Sequence, residues 1–378
     1  MTDDGVKFIE EVGDSVGPIL AVFVLAALLA LLLTPVVRRV VLRYRIVDRP
    51  NARRVNTRPI PRAGGLAIGA AFLIVAGAFV YLNGKAGWVP TPLTLETSDF
   101  LALFLGGAAA AALGGIDDLF DLRARWQLTG QVVLAIFAIL LGVGVTLINN
   151  PVGADVIRFS QPLSAGFTLF WIVGMINSIN WIDGLDGLSS GIALIACVTL
   201  GLISLTTQVG QPLIAVLCFA LAGALAGFLR WNFHPAQIFS GTSGVQFVGY
   251  TLAVLSILGS AKVAVALLVL GVPIIDTFWI IVGRVSRGGS PFAPDRSHIH
   301  HRLLDLGLSH RNTVLVIYGI CAVLGVLAML VPVVTQLYAF LAVFIVSGLI
   351  LFGPTRGTFR RPDELDAPSY ETADTTDR

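Results

Sequence analysis

Four polar side chains recur at every third position directly after an apolar run: Asn177, Asn180, Asp183 and Asp186. On a helical or 3₁₀-like turn, this spacing keeps all four on roughly one side of the backbone. Gly184 and Gly187 allow the chain to bend and to approach a ligand closely. Two carboxylates and two amides in this arrangement can bind a divalent cation or a sugar nucleotide. A plain polar loop is the competing interpretation, but the stretch contains no Lys, Arg or Pro.

Asp117 and Asp118 form a second candidate site at the carboxyl end of another apolar run. The helix dipole is negative at that end, so carboxylates there do not stabilise the helix that carries them. The pair is therefore predicted to serve as a metal and proton-transfer site at a membrane face. Alternatively, the two aspartates pair with Arg123 or Arg125, or cap a short following helix.

Two further segments have the residue types that bind phosphate. Arg62 stands beside Gly64 and Gly65 at the start of an apolar run, where the first N–H groups of a helix can meet a phosphate. The other arginines between positions 38 and 62 are explained by membrane topology and by anionic lipid. The Gly- and hydroxyl-rich loop 231–244 can cradle phosphate with its backbone, although this signal alone is weak.

Three histidines and an arginine cluster near the last apolar runs: His298, His300, His301 and Arg302. Zinc is disfavoured because no Cys or Glu lies nearby to complete a site, so the cluster is predicted to bind a diphosphate. As part of a loop, the cluster is expected to carry little core packing. Asp276 lies inside an apolar run and is a functional candidate. A structural bond to Arg284 or to a neighbouring helix is its alternative.

The composition predicts an all-α, polytopic membrane protein. Of 378 residues, 56% are hydrophobic and only 13% are charged, and the mean hydropathy is +0.85. Residues 1–354 are predicted to form one multi-pass unit and residues 355–378 a polar, disordered cytoplasmic tail. Eleven apolar runs are predicted to cross the membrane: 18–37, 64–83, 100–116, 128–148, 165–180, 188–206, 212–229, 245–259, 262–283, 313–333 and 335–353.

The distribution of positive charge predicts the orientation. With the N-terminus outside and the C-terminus in the cytoplasm, four Lys and Arg residues lie outside: Lys7, Lys85, Arg158 and Lys262. Every candidate motif then faces the cytoplasm, whereas the outer loop 149–163 reads as a small hairpin without chemistry. A transporter would place polar groups near mid-membrane. The layout instead favours a water-soluble phosphorylated substrate that meets a lipid substrate at the membrane surface.

In combination and in order, these motifs resemble the polyprenyl-phosphate N-acetylhexosamine-1-phosphate transferase family, an MraY-like helical bundle. The resemblance covers about residues 18–330 and rests on five segments: Pro61–Gly65, Asp117–Asp121, Asn177–Gly187, Asn232–Ala236 and His298–Arg302. The His-x-His-His-Arg form and the eleven predicted spans look like the WecA/TagO branch, which uses UDP-GlcNAc.

The resemblance implies transfer of a sugar-1-phosphate, in this branch GlcNAc-1-phosphate, from a UDP-sugar to undecaprenyl or decaprenyl phosphate, with release of UMP. It implies Mg²⁺, with Mn²⁺ as an alternative, and an initiating step of cell-envelope glycan synthesis at the inner membrane of a prokaryote. No nucleic acid is expected as a partner, and a homodimer is left open.

The resemblance also implies roles for individual residues. Asp117 and Asp118 would act on the lipid phosphate and its proton, and Phe239 would stack on uracil. The metal would be held by Asn180, Asp183, Asp186 and Thr242. The remaining substrate contacts would come from the same Asn180, Asp183 and Asp186, together with Arg62, His298, His300, His301 and Arg302.

Two positions depart from the family pattern. Thr242 stands where the family usually has an aspartate that binds the metal, and Asn56 stands where many relatives have histidine. A threonine hydroxyl can still bind Mg²⁺, so an active enzyme with a high metal requirement is expected. The alternative is a catalytically weakened relative that binds polyprenyl phosphate or nucleotide.

Overall fold

The computed structural model describes residues 3–48, 58–92, 94–150, 156–206, 209–259, 262–286, 288 and 298–352. The predicted tail 355–378 and Asn56 lie outside these residues. The helices are α1 Asp3–Arg43, α2 Gly65–Ala86, α3 Thr97–Phe120, α4 Ala124–Leu140, α5 Gln161–Ile182, α6 Leu188–Ser204, α7 Pro212–Asn232, α8 Gly241–Leu258, α9 Lys262–Val269, α10 Gly271–Val285, α11 Ile299–Asp305, α12 His310–Leu330 and α13 Val333–Phe352. The short strands are β1 Val47–Asp48, β2 Ile60–Pro61, β3 Leu147–Asn149 and β4 Val156–Arg158.

The chain is a multi-pass, all-α membrane protein, as the composition predicts. Within the described residues, seven helices are long and apolar enough to span a membrane: α1, α2, α3, α5, α7, α8 and α12. An eighth span arises if α9 and α10, which meet at a bend of 76°, are counted as one. The apolar helices α4 and α6 and the apolar part of α13 are shorter. Each predicted run therefore corresponds to a helix or to the bent pair, and the count of eleven crossings stays a prediction.

Helix α7 lies at the centre of the bundle, and 83% of its most apolar 18-residue stretch is buried. It packs against α1, α2, α6 and α8. Gly223 and Gly227 face α1 so closely that a Cβ at either would overlap the backbone of Phe23 or Ala27. Small residues allow such close helix contacts inside a membrane, where a hydrophobic drive between helices is absent. The loop that follows α7 is consequently held at a fixed place in the bundle.

Close contacts between glycines also bring the ends of three helices together. A Cβ on Gly114 of α3 would overlap the backbone of Thr242 and Ser243, and one on Gly65 of α2 would overlap Gly244. The start of α2, the end of α3 and the start of α8 are therefore in direct backbone contact. This meeting point supports one wall of the polar cavity described below.

Two small antiparallel pairs complete the fold. Strand β1 pairs with β2 in the register Val47↔Pro61, which returns the chain after α1 to the start of α2. Strand β3 pairs with β4, with Leu147 opposite Arg158. The second pair confirms the small hairpin predicted around 149–163, although its first strand begins two residues earlier than that range.

The glycine contact at the end of α3 can be tested with a matched pair. Gly114→Ala should destabilise the detergent-purified protein by about 1–3 kcal/mol, because its methyl group overlaps rigid backbone. Gly115→Ala in the same helix meets only the Leu66 side chain, at 3.5 Å, and should be neutral or slightly stabilising. Thermal melting of both variants provides the measurement. Equal melting temperatures would contradict the close packing of α3 on α8.

Candidate active site at a polar cavity

A cavity of about 300 Å³ collects residues from most of the motifs. Its lining consists of Asp48, Arg62, Asp118, Asn180, Asp183, Gly184, Leu185, Asp186, Asn232, Phe239, Gly241, Thr242, His301 and His310. Eight of the predicted site residues are in this set: Arg62, Asp118, Asn180, Asp183, Asp186, Phe239, Thr242 and His301. The other four lie outside the lining: Asp117, His298, His300 and Arg302. The roles of all twelve stay predictions, but the structure brings most of them to one place.

Asp118 binds the first turn of α8. Its Oδ1 accepts the backbone N–H of Thr242 at 2.9 Å, and its Oδ2 accepts the N–H of Ser243 at 3.0 Å. Its side chain is only 1% exposed. An anion at the N-terminus of a helix is stabilised by free N–H groups and by the helix dipole. A carboxylate that is unfavourable at the end of α3 is therefore stabilised by the start of α8.

Asp183 binds the loop before α8 from the opposite side. Its Oδ2 accepts the hydroxyl of Ser240 at 2.6 Å, and its Oδ1 accepts the hydroxyl of Ser189 at 2.5 Å. Burial raises the pKa of the Asp183 carboxyl, while the two hydroxyl hydrogen bonds act to lower it. Two neutral donors do not balance the charge of the ionised carboxylate, so a cation in the cavity would stabilise that form.

Asp186 binds the same loop at its beginning. Its Oδ2 accepts the backbone N–H of Ala236 at 3.0 Å and lies 2.7 Å from Nδ1 of His234. Its own backbone N–H donates to Nε2 of His310 at 2.9 Å. The rings of the two histidines stack, with centroids 4.3 Å apart. Asp186, in the turn after α5, is therefore the residue at which the α7–α8 loop (residues 233–240) and the start of α12 meet.

Backbone hydrogen bonds hold the α7–α8 loop against the start of α2. The N–H of Phe239 donates to the carbonyl of Pro61 at 2.8 Å, while Gly64 and Gly65 donate to the carbonyls of Phe239 and Ser240. The two glycine N–H groups that the sequence suggested for phosphate are therefore used within the protein. Together, these backbone hydrogen bonds fix the position of Phe239, which lines the cavity.

Asp117 points into the turn between α3 and α4. Its Oδ1 accepts the N–H of Leu122 at 2.9 Å and the side-chain amide of Gln127 at 2.8 Å. The hydrogen bonds described for Asp117 therefore come from Leu122 in this turn and from Gln127 in the first turn of α4, and not from Arg123 or Arg125. The two adjacent aspartates therefore face different surroundings, and only Asp118 reaches the cavity.

Arg62 holds the end of α3 from the cavity side. Its guanidinium donates to the backbone carbonyl of Asp118 at 2.9 and 3.1 Å and to Oδ1 of Asp121 at 2.5 Å. Asp121 is 79% exposed, so a surface ion pair of this kind contributes little stability. The guanidinium can therefore exchange this carboxylate for a phosphate at small cost.

Asp276 of α10 holds the start of the histidine segment. Its Oδ2 lies 2.7 Å from Nδ1 of His298, and its Oδ1 accepts the N–H of Ile299 at 2.9 Å. Of the two interpretations considered for Asp276, the contacts correspond to the bond with a neighbouring helix. Asp276 thereby positions α11, which carries His300, His301 and Arg302.

His300 is buried, contrary to the expectation of little packing in this segment. It is 1% exposed, and its ring lies so close to Gly184 that a Cβ there would overlap Nε2. Burial, with smaller contributions from the neighbouring histidines, lowers the pKa of His300 to about 2. A neutral His300 supports the glycine-rich turn, while the adjacent His301 reaches the cavity.

Several cavity residues were not identified from the sequence. Asp48 and His310 line the cavity but belong to none of the motifs, and His310 contacts Asp186 from 124 residues away. Asp48 is the acidic residue of an arginine-rich segment, and His310 opens an apolar run. Both residues stand out in the sequence, but nothing there indicates which residues they contact in the fold.

The buried state of His300 predicts a pH effect on stability. Between pH 2 and 6.5 the unfolded chain binds one more proton at this position, so stability falls as the pH drops below about 6.5. The loss approaches about 1.4 kcal/mol per pH unit. His300→Gln should remove this component. Between pH 7.5 and 5, the melting temperature of the wild type should therefore fall by more than that of the variant. A constant gap would show that His300 is accessible to protons in the folded protein.

Comparison with known proteins identifies one family of glycosyl transferases and several similar members. The model of glycosyl transferase family 4 matches residues 100–260. A probable undecaprenyl-phosphate N-acetylglucosaminyl 1-phosphate transferase of Bacillus subtilis is 35% identical over 341 residues, which cover 88% of this chain and 90% of the relative. A decaprenyl-phosphate N-acetylglucosaminephosphotransferase of Mycolicibacterium smegmatis is 34% identical over 78% of this chain and 77% of its own length. The undecaprenyl-phosphate alpha-N-acetylglucosaminyl 1-phosphate transferase of Escherichia coli K12 is 26% identical, with coverages of 82% and 85%. With this extent of similarity, the chain belongs to glycosyl transferase family 4, as its motifs had indicated.

Proposed function

We propose that this protein transfers N-acetylglucosamine-1-phosphate from UDP-N-acetylglucosamine to a polyprenyl phosphate and releases UMP. The relatives named above act on undecaprenyl or decaprenyl phosphate, and they cover most of the chain. The observation that carries the proposal is the cavity, which joins carboxylate, amide, arginine and histidine side chains from five separate motifs. In the proposed orientation, the cavity opens to the cytoplasm at the inner membrane of a bacterium.

The reaction exchanges one phosphoanhydride bond for another. An oxygen of the polyprenyl phosphate forms a bond to the phosphorus that carries the sugar. The bond from that phosphorus to the bridging oxygen of UMP breaks, and UMP leaves with the electron pair. Several negative charges approach one another in this step, so the site must neutralise them.

The donor set at the cavity suits a magnesium ion. Asn180, Asp183, Asp186 and Thr242 all present oxygen atoms, the ligand type that Mg²⁺ prefers. Each carboxylate oxygen has two lone pairs, so the hydrogen bonds described above leave acceptor positions for an ion. The bound ion would neutralise phosphate charge during the transfer.

The protein's own side chains would bind and orient the two substrates. Arg62 can donate a pair of parallel N–H groups to a phosphate once it releases Asp121. The ring of Phe239 provides an apolar surface for the uracil, and His301 lies where a diphosphate oxygen can be reached. Asp118 keeps Thr242 at the cavity through the two N–H groups at the start of α8.

The direct test is a transfer assay with purified full-length protein, undecaprenyl phosphate, UDP-N-acetylglucosamine and Mg²⁺. UMP release should require all four components and should stop when a chelator removes the metal. UDP-N-acetylgalactosamine and UDP-glucose provide the sugar controls. Absence of UMP at every Mg²⁺ and Mn²⁺ concentration would contradict the proposal and favour a binding role, which the named relatives do not support.

Thr242 should determine how much Mg²⁺ the enzyme needs. Thr242→Asp adds a charged oxygen at the cavity and should lower the Mg²⁺ concentration for half-maximal UMP release. Thr242→Val keeps the shape without the hydroxyl and should raise it. In both variants the backbone N–H that binds Asp118 is retained, so the start of α8 should stay in place. Identical metal curves for all three proteins would show that position 242 does not contact the ion.

A further inference from the structure

Three side chains with metal-binding atoms meet at one edge of the cavity. Asp186 comes from the turn after α5, His234 from the α7–α8 loop, and His310 is the first residue of α12. The binding atoms of all three lie within 4.8 Å of one another. Their side chains are 11%, 41% and 13% exposed, so the cluster is partly enclosed but open on the side of His234.

The spacing of these atoms matches a tetrahedral ion site. Oδ2 of Asp186 lies 2.7 Å from Nδ1 of His234 and 4.0 Å from Nε2 of His310. With bonds of about 2.0–2.1 Å, neighbouring ligand atoms of a tetrahedral zinc site lie roughly 3.3 Å apart. The two observed distances fall on either side of this value. The nitrogens of the two histidines lie within 4.8 Å of each other, and their stacked rings must turn for all three atoms to reach metal-binding geometry.

The protonation pattern also suits an ion. Nε2 of His310 accepts the backbone N–H of Asp186, so this nitrogen is unprotonated and its lone pair faces that N–H. An unprotonated imidazole nitrogen is the form that binds metal, and an entering ion would replace the N–H as its partner. His234 is the most exposed of the three, and its ring can turn to face an entering ion.

We propose that Asp186, His234 and His310 form a binding site for a borderline divalent ion such as Zn²⁺ or Co²⁺. Two imidazoles and one carboxylate favour such ions over Mg²⁺, which prefers oxygen ligands. Three protein ligands leave a fourth coordination position open. Asp186 and His310 both line the cavity, so this open position would face the cavity. Water or a phosphate oxygen would complete the site. A carboxylate has two oxygens, so use of Oδ2 here is compatible with a separate role for Asp186 toward Mg²⁺.

The site differs from the histidine segment His298–Arg302, where the sequence had already disfavoured zinc. His298 is engaged with Asp276, and His300 is buried against Gly184. The ion would instead connect three segments that are far apart in the chain. Because it binds the folded protein, it should raise the melting temperature as its concentration rises.

Cobalt binding tests the proposal without lipid or UDP-sugar, so its outcome is independent of transferase activity. Tag-free, full-length protein in detergent is titrated with Co²⁺, and the visible absorption of four-coordinate Co²⁺ is followed. The expected result is one Co²⁺ per chain, displaced by one equivalent of Zn²⁺. His234→Ala and His310→Gln should each weaken binding at least ~10-fold.

The choice of variants separates binding from folding. A glutamine at position 310 can still accept the N–H of Asp186 but lacks an imidazole nitrogen. His298→Gln is the matched control, since it removes a histidine outside the cluster, and it should leave the Co²⁺ titration unchanged. No stoichiometric Co²⁺ in the natural protein, or equal binding by all variants, would overturn the proposal. Loss of binding in His298→Gln alone would place the ion at the histidine segment instead.

Discussion

The fixed position of the α7–α8 loop depends on three carboxylates, two from the turn after α5 and one from the end of α3. Asp186 binds its first residues, Asp183 binds Ser240 at its end, and Asp118 binds the first turn of α8 that follows. A charge removed from water is costly unless donors compensate it. Displacement of the loop would take the donors away from these carboxylates, and loss of the carboxylates would release the loop. The loop and the aspartates therefore fix each other.

This mutual dependence accounts for how the cavity is prepared for its ligands. Preorganised polar groups contribute more to a transfer reaction than groups that must first move into place. Phe239 and Thr242 lie on or next to the loop, and both are held at the cavity wall by backbone hydrogen bonds. The carboxylates can support the loop and also bind a cation, because each oxygen of Asp183 accepts one hydrogen bond and Oδ1 of Asp186 accepts none of those described.

The sequence predicted the elements better than the contacts between them. Apolar runs and the polar stretch at the end of α5 followed from composition and spacing, and the small hairpin was also predicted. The bend between α9 and α10 was not, because hydropathy averages over a run, although Pro273 in the first turn of α10 was a local signal for a helix start.

The partners of the aspartates could not be predicted for a different reason. Asp118 and Thr242 are separated by 124 residues, as are Asp186 and His310, and no local pattern encodes a contact at that range. Asp276 and His298 are only 22 residues apart, and the sequence identified both but assigned them separate functions. Motifs therefore identified most of the residues at the cavity, whereas their mutual geometry required the fold.

Amide hydrogen exchange at the start of α8 tests the carboxylate arrangement most directly. Asp118→Asn replaces one acceptor oxygen by an amide group that cannot accept the N–H of Thr242 or Ser243. In the variant, peptides covering residues 240–245 should exchange faster than in the natural protein, while peptides in the middle of α7 should not change. Equal exchange at residues 240–245 in both proteins would contradict the claim that Asp118 fixes the start of α8 at the cavity.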